Sequence, residues 1–146
     1  EMQRSLVGSE MCIRDSSNVG LGIDHAMAHT LSAHYDTPHG VACAMLLPIA
    51  MEFNKPVCAE RLAKVAVAMG VDTTGMSTDE AADAAIAAVK QLSADVNIPH
   101  VCEAMKADEI EVLAKDAMAD ACFPGNPREA TLDDVIELFK KICPAA

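Results

Sequence analysis

The stretch Ser77-Thr78-Asp79-Glu80-Ala81-Ala82-Asp83-Ala84-Ala85-Ile86-Ala87-Ala88-Val89-Lys90 decides the fold class. Ser77 with Glu80 three residues on forms a capping box. The serine oxygen takes an orphan backbone N–H of the first turn, and the glutamate reaches back to the serine N–H. Behind the box, Ala82, Ile86, Val89 and Val96 recur at helical spacing, and alanine, the strongest helix former, fills most of the rest. The pattern predicts a helix to about Asp95 with those four residues on its inner face.

Working outward, the punctuation stays helical. Asp108 with Glu111 repeats the capping signal for a helix to about Ala121. Pro124-Gly125-Asn126-Pro127 breaks the chain, and Thr131 caps a last helix with Val135, Leu138, Phe139 and Ile142 inside. In the other direction, Gly70 ends a helix from about Pro56 to Met69, in which Leu62, Val65, Ala66 and Met69 share a face. Val41 to about Phe53 is apolar on nearly all sides and reads as a buried helix that Pro48 can kink. Asp36-Thr37-Pro38-His39-Gly40 is a turn, His25 to about Leu31 a short helix, and Asn18 to Gly22 a loop. No stretch alternates with period two for long enough to be a strand, and there is no repeat or low-complexity linker. The expectation is one all-α domain, a bundle of about six helices.

Composition agrees. A chain of 146 residues suits one domain. Aromatics are 3% and Trp is absent, so a chain that is 51% hydrophobic must build its core from Ala, Leu, Ile, Val and nine Met. That palette favours close-packed helices over sheets. The formal charge of −11 is spread along helix surfaces, which suits solubility and argues against a nucleic-acid partner. No apolar run approaches the roughly 18–20 residues of a membrane span, and no secretory pattern opens the chain. Six cysteines without a CxxC pair read as reduced thiols of a cytoplasmic protein, each buried as a small hydrophobe.

Leu6-Val7-Gly8-Ser9-Glu10-Met11-Cys12-Ile13-Arg14-Asp15 resembles a translated transposase adapter from sequencing-library preparation, and it has neither helical nor strand periodicity. Residues 1–16 are therefore expected to be a non-native segment, outside the fold. Residues 17–146 are expected to be the native helical domain, the later part of a longer protein.

The chemistry concentrates in the histidines. Four of the five, His25, His29, His34 and His39, crowd into fifteen residues, whereas His100 stands alone beside Pro99 as a loop or surface residue. His25 and His29 lie one helical turn apart on one face. His39 sits in a Pro-His-Gly turn, where Gly40 is expected to let the backbone fold close and present the ring to a neighbouring helix end. Imidazole suits iron, zinc, copper and nickel. Ala26 follows His25, so no glutamate supplies the base of a zincin helix. Spacing alone leaves two readings open, a partial metal shell or histidines satisfied within a helix and turn.

The run Gly20-Leu21-Gly22-Ile23-Asp24-His25-Ala26-Met27-Ala28-His29, with Leu31-Ser32-Ala33-His34-Tyr35 and Pro38-His39-Gly40-Val41-Ala42, resembles the signature of the iron-containing alcohol dehydrogenases. The likeness continues through Leu46-Leu47-Pro48 and Glu52-Phe53-Asn54 and returns in Cys122-Phe123-Pro124-Gly125-Asn126-Pro127-Arg128. The resemblance implies the C-terminal helical metal-binding domain of a dehydroquinate synthase-like fold. In that family a metal, Fe(2+) or sometimes Zn(2+), sits in the cleft against an N-terminal nucleotide-binding domain, held by an Asp and three His.

The resemblance implies that His25 and His39 are two of those ligands. It makes His29 a residue beside the nicotinamide, with a proton relay as its role, and places Cys122 at the substrate pocket, although a structural cysteine fits that position too. His34 receives no role. The Asp and His of the first half of the metal site, and the domain that mainly binds NAD(P), would precede Ser17. The implied reaction is hydride transfer between primary alcohols and aldehydes, with this piece inactive alone and its parent a homo-oligomer. A zinc-dependent polyol dehydrogenase is a variant within the superfamily. A non-catalytic helical module that binds a metal or a partner is the alternative from another class.

Overall fold

The computed structural model describes residues 21–144. The segment 1–16 and the loop expected from Asn18, apart from Leu21 and Gly22, lie outside the described residues. Among the described residues the chain is all-helical: α1 (Ile23–Tyr35), α2 (His39–Ala68), α3 (Thr78–Asp95), α4 (Ile110–Ala119) and α5 (Leu132–Lys140), with short 3-10 turns at Ala107–Glu109 and Phe123–Gly125.

Two of the three expected caps form. Ser77 and Glu80 make the reciprocal box at the start of α3, and Thr131 does the same with Asp134 at the start of α5. Gly70, at φ +84°, ends α2. The Val71 N–H reaches the Ala66 carbonyl at 3.0 Å and the Gly70 N–H that of Val67 at 3.0 Å, the two bonds of a Schellman stop. Asn97, at φ +59°, closes α3 in the same way, with Ile98 N–H on Ser93 and Asn97 N–H on Ala94. Ser77→Ala removes one half of its box and is expected to cost about 1 kcal/mol. The check is a lower urea midpoint at unchanged slope; an unmoved midpoint would show that the box is idle.

Several expectations fail on particular residues. The helices expected over Val41–Phe53 and Pro56–Met69 are one 30-residue helix, α2, which runs through Pro48 and Pro56. Each proline withholds one N–H bond, and the turn before Pro56 is held by contacts from elsewhere in the chain, described below. The first helix runs past Leu31 to Tyr35. Asp108 and Glu111 form no cap: a 3-10 turn precedes α4 there, and Glu111 pairs instead with Lys115 at 2.6 Å. Val96, expected inside, is 59% exposed because α3 ends before it, and Val65 of α2 and Met69 just past its end are exposed as well. Only two of the described cysteines, Cys102 and Cys143, are buried; Cys43, Cys58 and Cys122 are half-buried. By length and composition α2 is long and apolar enough to cross a membrane, which a search for unbroken apolar runs misses. Here it packs against α1 and α3.

The main core joins α1, the first half of α2, α4 and α5 through Ile23, Met27, Leu31, Leu46, Leu113 and Phe139. A smaller core holds α3 on the second half of α2. It is built from Leu62, Ala66, Ala82, Ala85 and Ile86, so small side chains let the two helices approach closely. Glu52 spans the halves, pairing with Lys90 of α3 at 2.6 Å and with Lys141 at 3.1 Å. Burial pushes its carboxyl up, but the two lysines outweigh that and hold it below its ordinary 4.5. A depressed carboxylate stabilises the fold above its unfolded pKa, and that stability is lost as pH falls through the folded value. Glu52→Gln is therefore expected to cost about 1 kcal/mol or less at neutral pH, given its partial exposure. The gap from wild type should close in melts below pH 4.5. A gap that persists in acid would assign the effect to packing.

Candidate metal centre

His25 and His29 project from successive turns of α1, and His39 is the first residue of α2. The reversal between them turns on Asp36, in the left-handed region at φ +52°. Pro38 then starts α2, its carbonyl accepting the N–H groups of Val41 at 2.9 Å and Ala42 at 3.0 Å. Gly40 plays no close-approach role, contrary to expectation, since a Cβ there would meet open space.

The reversal brings three imidazoles together. The His25 and His39 ring centres are 5.4 Å apart and edge-on, those of His25 and His29 are 6.1 Å apart, and His29 stacks on His39 at 5.1 Å. His34, on the same helix, is elsewhere: it is exposed, with Nε2 at 2.8 Å from Asp116. His100 is exposed in a bend. Sequence spacing had placed the three rings on one helix face and the following turn, and the fold brings them into one cluster.

The surroundings suit a cation. Burial lowers the pKa of His25, and His39 and His29 lower it further, against an opposing pull from Asp120. The ring is thereby kept neutral, the form that ligates a metal. Asp24 lies with Oδ2 at 3.6 Å from His25 Nδ1. Burial pushes its carboxyl up to about 7, and its Oδ1 is buried without a partner. Imidazoles converging beside an unsatisfied carboxylate form a donor set that a divalent metal fits.

A second group adjoins the first. Asp120 accepts the Cys122 N–H on Oδ1 at 2.7 Å, and its Oδ2 lies 3.0 Å from His29 Nδ1. Burial raises the Asp120 carboxyl, but those contacts outweigh it and hold it below its ordinary value. An ionised carboxylate only accepts, so His29 donates to it from Nδ1. The His29, Asp120 and Cys122 donor atoms all lie within 4.8 Å of one another. Cys122, singled out from the resemblance, therefore stands beside His29.

Two participants went unread in the sequence. Cys43 lies four residues after His39, one helical turn along, with Sγ at 3.5 Å from His39 Nε2. That spacing was legible. Asp120 is 91 residues from His29 and carries no local signal.

The Cys122–Arg128 run also holds the site's floor. Asn126 Oδ1 accepts the Ile23 N–H at 3.3 Å, satisfying a free donor at the start of α1. The Asn54 and Asn126 amides exchange bonds of 3.0 and 2.8 Å. Asn126 Nδ2 also donates to the Arg128 carbonyl at 2.6 Å. Arg128 donates to the Phe53 carbonyl at 2.7 Å and lies 4.1 Å over the Phe53 ring. These contacts flank Pro56 and the origin of α1 together.

The profile described as Fe-containing alcohol dehydrogenase family, C-terminal, matches residues 5–143. The chain is 50% identical over 125 residues to the lactaldehyde reductase of Escherichia coli (strain K12), covering 84% of this chain and 33% of that protein. It is 40% identical over 127 residues to the 1,3-propanediol dehydrogenase of Citrobacter freundii, covering 86% and 33%. Among solved structures, a 1,3-propanediol oxidoreductase superposes with a TM-score of 0.82 at 39% identity, over 84% of this chain and 32% of that one. An alcohol dehydrogenase from Oenococcus oeni superposes at 0.80 with 44% identity over the same shares. The chain thus spans about a third of the length of the relatives it matches.

Proposed function

This chain belongs to the Fe-containing alcohol dehydrogenase family, and from that premise we propose that it is the C-terminal part of a metal-dependent, NAD(P)-linked dehydrogenase that interconverts small primary alcohols and aldehydes. The observation that carries the reading is the convergence of His25, His29 and His39 in one cluster beside Asp120 and Cys122. His25 and His39 would hold the metal, Fe(2+) or alternatively Zn(2+), through neutral imidazole nitrogens. When bound, the metal would polarise the substrate oxygen as a Lewis acid and the nicotinamide would carry the hydride.

The remaining residues have separate tasks. His29, held by Asp120 on Nδ1, would exchange a proton at Nε2 and lie against the nicotinamide. Asp120 fixes that tautomer and ring orientation. Cys122, beside His29, would line the substrate pocket. The parent is proposed to be a cytoplasmic homo-oligomer without nucleic-acid or membrane partners, with most NAD(P) contacts made by a preceding domain. With two of four family ligands in hand, the 146-residue chain is proposed to be inactive by itself.

The test is aldehyde reduction by NADH or NADPH with ferrous iron. The complete protein is expected to turn over and this chain alone is not. Absence of turnover by the metal-loaded complete protein across small aldehydes would overturn the reading.

A further inference from the structure

α2 keeps one face that the described helices leave open. Leu47, Met51, Asn54, Cys58, Arg61 and Val65 follow one another at alternating steps of four and three residues, which on a helix form one seam. The seam runs about 27 Å, at about 1.5 Å per residue. Leu47, Arg61 and Val65 are exposed, and Met51, Asn54 and Cys58 are half-buried. The buried residues of α2, such as Phe53 and Ala66, serve the two cores instead.

The seam borders a groove of about 350 Å³, whose other wall is built from Gly22–Asp24 and Gly125–Pro127. Two polar groups in this groove lack partners among the described residues. Arg61 makes no ion pair there. Asp24 Oδ1 is buried without a hydrogen bond.

The spacing narrows the choice of occupant. Steps of four and three are what a second helix packs on, its side chains entering the holes between those of the first. A second copy of this chain fits poorly. Antiparallel pairing of the two seams end to end sets Arg61 against Met51, and parallel pairing sets it against another Arg61. The matched family profile is the C-terminal one, and this chain spans about a third of its relatives, so the parent has further chain to supply the cover.

We propose that this face of α2 is the docking site of an amphipathic helix from the preceding part of the parent, one that sets apolar side chains on Leu47, Met51 and Val65, a carboxylate at Arg61 and a hydrogen-bond donor at Asp24 Oδ1. It rests on the reading of the chain as the C-terminal part of a longer enzyme. Docking there fixes the start of α1 next to His25, and so couples the preceding part to the metal centre.

Cys58 lies in the middle of the seam and reports its cover. Maleimide labelling, read by mass spectrometry at Cys58, compares the complete protein with the 146-residue chain, whose helicity is followed by circular dichroism. The thiol is expected to react at least about tenfold more slowly in the complete protein. Arg61→Glu, with Val65→Asp as a second variant, should raise the Cys58 rate in the complete protein and lower its urea midpoint, while the midpoint of the 146-residue chain stays unchanged. Lys64→Glu, off the seam, should alter neither. Equal Cys58 rates in the two proteins would overturn the docking. So would variants that weaken both proteins alike, which would give Arg61 and Val65 a task within this chain. Protection that appears in the 146-residue chain as its concentration rises would assign the face to a second copy and overturn it too. Aldehyde reduction by the complete protein is measured alongside. Turnover with an unprotected Cys58 overturns the docking alone, and a protected Cys58 without turnover overturns the functional reading alone.

Discussion

His39→Ala in the complete protein is expected to lower aldehyde reduction by roughly 10²–10⁴-fold, together with loss of bound metal. The magnitude follows from the role. A Lewis acid on the substrate oxygen supplies several kcal/mol of stabilisation to the transition state, and each 1.36 kcal/mol or so is a factor of ten. His39 is exposed at the start of α2 and contributes little packing, so the variant should keep wild-type helicity and melting. His34→Ala serves as the control, since that ring is occupied by Asp116 and should leave both metal content and turnover unchanged. His29→Ala distinguishes relay from ligand: activity falls while metal content holds. Retained metal and turnover in His39→Ala would remove the basis of the assignment and favour a helical module whose histidines are structural.

Asn126→Ala is expected to destabilise the fold by an amount on the order of 3 kcal/mol. One side chain satisfies three other groups: the Ile23 N–H, the Asn54 amide and the Arg128 carbonyl. Truncation leaves them partly buried and unpaired, which costs more than the loss of an ordinary surface hydrogen bond. Because Asn126 joins the start of α1 to the middle of α2, the same change should loosen the frame that holds His25 opposite His39. Gly22 is part of this arrangement, as a Cβ there would come within 2.9 Å of Asn126 Oδ1. Urea unfolding of Asn126→Ala checks the estimate. A loss below about 0.5 kcal/mol would mean that water replaces the amide and that the lock is of little consequence.

The parts of this fold that were legible in the sequence are those fixed by neighbours in the chain. Ser77 with Glu80, Thr131, and Gly70 all act over three to five residues, and each cap or stop forms where the residues put it. Val135, Leu138 and Phe139 of α5, with Ile142 just past its end, are likewise periodic and buried. Pro56 misleads because the helix through it is held by long-range contacts. Asn54 is tied to Asn126 at a separation of 72 residues and the Phe53 carbonyl to Arg128 at 75, and no local pattern displays either. Asp108 and Glu111 carry the letters of a cap without its geometry, because the chain enters α4 through a 3-10 turn.

The candidate site divides in the same way. His25 and His29 were readable as one face of a helix, whereas the placement of His39 against them depends on the tertiary reversal at Asp36. The family signature supplied that pairing before the structure did. Asp120, arriving from 91 residues away, had no signal at all. Cys43 had one, its position four after His39, but a signature built on histidines directs attention away from a thiol.

The most direct test of the account is the position of the metal. Diffraction from crystals of the metal-loaded complete protein, collected on both sides of the metal absorption edge, locates the cation by its anomalous signal. The account predicts one peak about 2.0–2.1 Å from a ring nitrogen of both His25 and His39. A peak elsewhere, or one bound by only one of the two rings, would contradict it.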